Sequence, residues 1–179
     1  PFLTRWLGRR RGWLLVAQLA ILTAILLMAA IDPAQGGASL TYMALAAVLL
    51  GFSAATQDIV IDAYRIEAAE TSLQALMSAT YIAGYRVGMV VSGAGALFLA
   101  AALGTTAEHY VYEAWRWTYV AMAGTMGVGI LTTLLIREPA GRRTTSRRHG
   151  GWDYFRLLLV FAGGVGAFVG AFFLSGDAF

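Results

Sequence analysis

Long apolar runs alternate with short polar connections along the whole chain. A hydrocarbon core about 30 Å thick requires roughly 20 mostly apolar residues in a single helix. The runs lack the period-two alternation of barrel strands, and helices satisfy their own backbone hydrogen bonds in lipid. The pattern therefore predicts an all-α membrane protein with five transmembrane helices. The runs lie near residues 13–31, 39–64, 72–103, 117–136 and 157–179.

The composition supports a membrane protein and excludes several other classes. Hydrophobic residues make up 59% of the 179 residues and charged residues 13%, whereas soluble domains average roughly 45–50% and about 25%. The chain has no Cys, which excludes disulfides, thiolate metal sites and a cysteine nucleophile. No catalytic, metal-binding or cofactor-binding constellation accompanies the polar residues, so neither an enzyme nor a cofactor is predicted.

The basic residues predict the orientation of the chain in the membrane. Arginines are concentrated before the first run and in the loop 137–156, and the loop 32–38 has none. Short cytoplasmic loops collect basic residues, so the N-terminus of the chain and the Arg-rich loop 137–156 are predicted to be cytoplasmic. This placement explains the net charge of +3 without nucleic-acid binding, which would need a basic face with interleaved aromatics. The chain opens without a signal peptide, and we expect it to be an internal fragment of a longer transporter.

Ionisable residues inside the second run are candidates for function because each costs roughly 2.5–3.5 kcal/mol to insert at the centre of a membrane helix. Asp58 and Asp62 are four residues apart and Arg65 follows three residues later, so all three project from one helical face. Gln57 and Tyr64, seven apart, share an adjacent face. The two carboxylates together carry more negative charge than Arg65 alone can neutralise.

The third run contributes Tyr81, Tyr85 and Arg86. The forked guanidinium of Arg86 would suit a carboxylate-bearing substrate, and the tyrosines could stack on sugar rings. Two interpretations remain open. In one, these residues line a water-accessible cavity in which Asp58 and Asp62 exchange protons as the site faces alternate sides. In the other, the carboxylates are paired at the interface and the tyrosines only pack between helices.

Several segments resemble one transporter family. Residues 8–13 are similar to the basic loop between the second and third helices of the major facilitator superfamily. Residues 52–65 resemble the fourth-helix signature of the AmpG muropeptide permeases, and residues 84–93 resemble their fifth helix. Residues 115–119 and the ending at 137–139 fit the sixth helix. By this resemblance the chain is a major facilitator fragment: residues 1–136 form part of the N-terminal half, and 157–179 form a further transmembrane helix.

The resemblance implies a bacterial inner-membrane symporter that imports N-acetylglucosaminyl-anhydro-muramyl peptides with protons for cell-wall recycling. In families of this kind, the induction of chromosomal β-lactamase depends on such import, so the resemblance also implies a role in that induction. The implied partners are the muropeptide, protons, the lipid bilayer and the remainder of the transporter chain, and no cofactor is implied. By position, the resemblance assigns to the cavity and to coupling Gln57, Asp58, Asp62, Arg65, Tyr85 and Arg86.

Two alternatives remain at this point. A related carrier, such as an acetyl-CoA transporter, shares the pattern of Gln57, Asp58 and Asp62, and a panel of substrates would separate it from a muropeptide carrier. A membrane scaffold or sensor that transports nothing would use the same carboxylates only for structure. Alanine at both positions would then alter stability with no uptake to lose.

Overall fold

The computed structural model describes residues 7–68, 70–139 and 151–176. Two short 3-10 turns, Pro33–Gln35 and Thr71–Leu73, precede the second and third helices. The described residues contain no strand. The described part of the chain forms five long helices: α1 (Arg9–Ala30), α2 (Ala38–Ala68), α3 (Gln74–Ala102), α4 (Tyr112–Leu135) and α5 (Gly151–Gly176).

All five helices are long and apolar enough to cross a membrane. Their outer surfaces carry large apolar side chains, such as Phe52 and Phe98, that are mostly exposed. In a water-soluble protein such a surface would be costly, whereas in a bilayer it faces lipid of the same polarity. The predicted fold class, an all-α protein with five membrane-length helices, is confirmed.

The helix ends differ from the predicted runs in several places. α1 begins at Arg9 rather than at residue 13, α2 continues to Ala68 rather than stopping at 64, and α4 begins at Tyr112 rather than at 117. Hydropathy measures the part of a helix that fits the hydrocarbon core, but backbone hydrogen bonding continues through polar turns. Arg, Glu and Ala favour such extensions because their helix propensities are high.

The chain divides into two compact units, residues 1–141 and 142–179. In the first unit, α1 packs against both α2 and α4, and α3 packs against α4. The buried face of α1 follows helical spacing through Leu14, Ala17, Ile21 and Ala24. Between α1 and α4, the buried Gln18 donates its side-chain N–H to the carbonyl of Gly129 at 3.2 Å. A polar tie of this kind fixes the register of two helices in an apolar environment.

The second unit contains α5. α5 begins at Gly151, six residues before the start of the predicted apolar run at 157. The rings of Trp152 and Phe155 stack with centroids 5.4 Å apart. Trp152 and Phe155 lie one helical turn apart, and such pairs stabilise the first turn of a helix. Residues 140–150 of the predicted loop and 177–179 of the last predicted span lie outside the described residues.

Candidate functional site

The charged side chains near the C-terminal end of α2 meet a tyrosine of α3. Arg65 forms an ion pair with Asp62, with Nη2 and Oδ1 3.1 Å apart. The hydroxyl of Tyr81 donates to Oδ1 of Asp58 at 3.4 Å. The guanidinium carbon of Arg65 lies 5.2 Å from the centroid of the Tyr81 ring, in cation–π range. We refer to Asp58, Asp62, Arg65 and Tyr81 as the Asp–Arg–Tyr cluster.

The helical spacing of α2 explains three members of this cluster. Asp58, Asp62 and Arg65 follow one another at intervals of four and three residues, which places them on one face. Tyr81 reaches this face from α3 and uses both its hydroxyl and its ring. The cluster thus joins the two helices through polar contacts, each of which depends on the charge of an α2 side chain.

The cluster is unbalanced in charge. With both carboxylates ionised, one arginine leaves a local charge of one negative unit. Asp62 and Asp58 are exposed, whereas the side chain of Arg65 is only 21% exposed. Within the described residues, Arg86 forms no ion pair with either carboxylate. Protonation of one carboxylate would therefore bring the cluster to neutrality.

Two polar atoms beside the cluster are buried without a hydrogen-bond partner among the described residues. They are Oε1 of Gln57, an acceptor, and Nε of Arg65, a donor. An unsatisfied buried polar atom costs about 1–3 kcal/mol. A hydroxyl or carboxylate of a ligand, or a water molecule, would relieve that cost at both positions. Gln57 and Arg65 are therefore suited to bind a polar substrate group beside the carboxylates.

Tyr85 and Arg86 lie farther along α3. They line a cavity of about 430 Å³ together with the apolar side chains of Ile82, Met89 and Val90. The rings of Tyr81 and Tyr85 stack with centroids 6.5 Å apart. The tyrosine pair thus connects the Asp–Arg–Tyr cluster to the cavity of Arg86. The structure brings Tyr81 to the carboxylates, whereas Arg86 lines the cavity and forms no ion pair among the described residues.

Tyr64 lies apart from the cluster. Its hydroxyl donates to the backbone carbonyl of Arg137, just after α4, at 2.8 Å. This contact joins the C-terminal ends of α2 and α4. Tyr64 shares a helix with the carboxylates, yet its side chain serves the packing of the bundle end in this structure.

Sequence reasoning missed a second polar network, at the N-terminus of α1. The guanidinium of Arg10 forms a two-pronged ion pair with the carboxylate of Glu67, near the end of α2. The carboxylate of Glu138 accepts from the backbone N–H groups of Arg10 at 2.8 Å and Arg11 at 3.0 Å. A sequence pattern could have indicated this network: a basic run lies at the start of one helix, and acidic residues lie at the ends of two other apolar runs.

Glu138 caps α1 from a distant part of the chain. The first N–H groups of a helix lack intrahelical partners and carry partial positive charge, so a carboxylate there is stabilising. Gly8 permits the close approach: its φ is +89°, and a Cβ at this position would overlap the Glu138 side chain. The network connects α1, α2 and the segment after α4 at one end of the bundle.

Removal of this cap should destabilise the bundle. We expect Glu138→Ala to lower the free energy of unfolding by about 1–2 kcal/mol, because two N–H groups of α1 lose a charged acceptor. Thermal unfolding of the detergent-solubilised full-length gene product measures the effect. Glu70→Ala is the matched control, since Glu70 is exposed and its side chain forms no hydrogen bond or ion pair with another described residue. Equal unfolding temperatures for the two variants would contradict the capping role.

Comparisons with known proteins identify the family. The Major Facilitator Superfamily model matches residues 1–178. The anhydromuropeptide permease of Escherichia coli K12 is 39% identical over 132 residues, which cover 74% of this chain and 24% of the permease. AmpG 4 of Rickettsia felis is 34% identical over 138 residues, covering 77% of this chain and 30% of that protein.

The matched region is a limited part of these relatives. The chain spans about a quarter to a third of the length of the curated relatives it matches. No solved structure matches the chain. The motifs that resembled the superfamily lie within the matched region, and the predicted resemblance to AmpG-type permeases is confirmed. With its five membrane-length helices and a family match along nearly its whole length, the chain belongs to the major facilitator superfamily, as an AmpG-like member.

Proposed function

We propose that this chain acts in a proton-coupled secondary transporter that imports anhydro-muropeptides across the bacterial inner membrane for peptidoglycan recycling. The observation that carries the proposal is the Asp–Arg–Tyr cluster on membrane-spanning helices of a major facilitator protein. Charges in such segments are costly and mark ion or substrate pathways. The similarity to an anhydromuropeptide permease supports the choice of substrate.

The direction of transport follows from the proposed orientation. We place the N-terminus of this chain, the network of Glu67 and Glu138, and the Arg-rich loop in the cytoplasm, in agreement with the positive-inside rule. The C-terminal ends of α1 and α3 then face the periplasm. Protons enter at that face, down an inward gradient, and their movement drives substrate toward the cytoplasm. Import of this kind would supply the muropeptides on which β-lactamase induction depends.

Proton coupling is assigned to Asp58 and Asp62. Asp62 is held by Arg65 at 3.1 Å, whereas the partner of Asp58 within the described residues is the hydroxyl of Tyr81 at 3.4 Å. Asp58 is therefore the carboxylate with the weaker compensation of charge, and we assign the transported proton to it first. Protonation cancels the excess negative charge of the cluster. The neutral carboxyl group then no longer requires a hydrogen-bond donor from α3. The equilibrium between two arrangements of α2 relative to α3 therefore shifts with the protonation state of Asp58.

Substrate binding is assigned to Gln57, Arg65, Tyr85 and Arg86. The unpaired atoms of Gln57 and Arg65 suit hydroxyl or amide groups of a sugar. Arg86 offers a forked donor to a carboxylate, and muropeptides carry carboxylates on their peptides. Tyr85 provides an aromatic face beside Arg86. This chemistry fits an anionic, sugar-containing substrate.

A counterflow experiment tests the substrate assignment. Vesicles that contain the full-length gene product are loaded with unlabelled anhydro-muropeptide, and entry of labelled anhydro-muropeptide is measured. We expect rapid exchange that acetyl-CoA in excess does not inhibit. Exchange of labelled acetyl-CoA without exchange of the muropeptide would contradict the assignment and identify the related carrier class instead.

Tyr81 provides a separate test of coupling. Tyr81→Phe removes the hydroxyl donor to Asp58 and retains the ring beside Arg65. We expect gradient-driven uptake to fall about three- to tenfold, which corresponds to about 0.7–1.4 kcal/mol and is in line with loss of one long, exposed hydrogen bond, while counterflow exchange stays near the wild-type rate. Tyr42→Phe is the control, because Tyr42 is an exposed tyrosine of α2 far from the cluster in sequence. A proportional loss of both activities would show that Tyr81 acts in substrate binding or folding instead.

A further inference from the structure

A second concave site lies at the end of the first unit opposite the Glu67 and Glu138 network. It is a cavity of about 340 Å³ where the C-terminal end of α1, the start of α2 and the start of α4 meet. Ligand sites commonly have volumes of about 300–1,000 Å³. Its aromatic wall comes from the segment before α4 and from the first turns of α4. That wall contains Tyr110, Tyr112, Trp115 and Tyr119, with Arg116 beside them.

Two hydrogen bonds fix the tyrosines of this wall. The hydroxyl of Tyr110 donates to Oδ1 of Asp32 at 3.2 Å, and that of Tyr112 donates to the carbonyl of Ala29 at 3.0 Å. Burial, followed by the hydrogen bond with Asp32, raises the pKa of Tyr110 to about 12, so its hydroxyl remains a donor at neutral pH. The loop before α4 is thus attached to the end of α1. A wall fixed in this way is ordered before a ligand arrives, which reduces the entropic cost of binding.

The remaining groups are available to a ligand. The rings of Trp115 and Tyr119 are tilted by 41° with centroids 6.3 Å apart. The indole N–H of Trp115 has no acceptor within the part of the chain that the structure describes. Among the described residues, Arg116 pairs with Glu113 alone, at 3.2 Å in an exposed pair one helical turn apart, and such pairs contribute little stability. The site thus combines aromatic faces, a free N–H donor and a cation that a stronger acceptor can recruit.

This combination indicates the chemistry of the occupant. Aromatic faces suit the apolar face of a sugar ring, and a guanidinium suits a carboxylate. A neighbouring concavity provides a contrast: it is lined by Leu27, Ile31, Tyr42, Leu45 and other apolar residues and has no charged side chain. A groove of that composition suits lipid chains. The aromatic cavity differs by its arginine and its hydrogen-bonded tyrosines.

We propose that this cavity is an outer docking site for the acidic sugar portion of the substrate, separate from the site assigned to Gln57, Arg65, Tyr85 and Arg86 and occupied before it. The choice of ligand and the outward orientation rest on the proposed function. Docking at the mouth raises the local concentration of substrate at the entrance. The site therefore contributes to apparent affinity for external substrate and has no part in proton coupling.

A thiol-protection experiment tests the site directly. The 179 residues contain no Cys, so Met43→Cys places a single thiol of this chain in the cavity lining. In spheroplasts that express the full-length gene product, a membrane-impermeant maleimide should label this thiol. The probe is the disaccharide N-acetylglucosaminyl-anhydro-N-acetylmuramic acid, which has a carboxylate but no peptide. We expect the probe to slow labelling at least severalfold, and N-acetylglucosamine alone to protect much less.

Two further variants separate docking from general effects on structure. Arg116→Gln and Trp115→Ala should each raise the concentration of disaccharide that gives half-maximal protection about tenfold. They should raise the KM for external substrate and leave the maximal rate unchanged. Trp117→Ala is the matched control, since Trp117 is 56% exposed on the same helix and does not line the cavity. Wild-type behaviour of Arg116→Gln and Trp115→Ala in both assays would overturn the proposal.

The outcomes also distinguish this proposal from the proposed function. Protection by the disaccharide in wild-type protein that accumulates nothing under a proton gradient would leave the docking site standing while the proposed symport function fails. Normal uptake without protection would retain the symporter and overturn the docking site. Failure of the thiol to react with the maleimide in the absence of probe would show that another part of the protein covers the cavity, and would also overturn it.

Discussion

Asp58→Asn is expected to abolish accumulation driven by a proton gradient while the protein still inserts normally. Asn has nearly the same shape as Asp and can still accept the hydrogen bond from Tyr81, but it does not titrate. With a gradient of one pH unit and one proton per substrate, about 1.4 kcal/mol is available, which corresponds to roughly tenfold accumulation. The variant should reach a ratio of about one, because substrate movement is no longer linked to proton movement.

The measurement is uptake of labelled anhydro-muropeptide into vesicles with a pH gradient and a short-circuited membrane potential. Glu70→Gln provides the control, since it removes a carboxylate that is exposed and lies between α2 and α3. Counterflow exchange should persist in Asp58→Asn, which would separate loss of coupling from loss of substrate binding. Gradient-driven accumulation at the wild-type level would remove Asp58 from the coupling role.

Arg86→Gln is expected to have the second large effect, on substrate affinity. Arg86 lines its cavity with its charge unpaired among the described residues. A charge-assisted hydrogen bond contributes about 1.5–3 kcal/mol, so its loss should raise the substrate Kd roughly 10- to 100-fold. Expression and unfolding temperature should change little, because Arg86 makes no ion pair that the substitution would break.

Equilibrium binding of labelled anhydro-muropeptide to the purified full-length gene product measures this effect. Arg86→Lys should give an intermediate Kd, since an ammonium retains the charge but not the forked donor. Arg156→Gln is the control, as an exposed arginine on α5. If Arg86→Gln protein bound the substrate with wild-type affinity, the proposed contact would be wrong.

The sequence was most informative where the geometry is local. Five membrane-length helices follow from hydropathy, and the pairing of Asp62 with Arg65 follows from their spacing of three residues. The alignment of Asp58 with the same face has the same origin. Local rules also explain the limited errors at the helix ends, since hydropathy does not detect a polar turn that continues a helix.

Contacts between helices could not be predicted in the same way. Tyr81 was a candidate because of its residue type, but its contact with Asp58 depends on how α2 and α3 pack. The same dependence explains why Tyr64 bonds to the backbone at Arg137 and not to the carboxylates. Glu67 and Glu138 lie 71 residues apart in sequence, and only the folded bundle brings both to the start of α1. Their arginine partners were interpreted as topology signals alone.

Proton coupling of muropeptide import is the central claim, and one measurement tests it most directly. Vesicles that contain the full-length gene product receive labelled anhydro-muropeptide with and without an imposed inward proton gradient. The account predicts accumulation above the external concentration with the gradient, and collapse to equilibrium when a protonophore dissipates it. Absence of uptake by correctly inserted protein, or accumulation that the protonophore leaves unchanged, would contradict it.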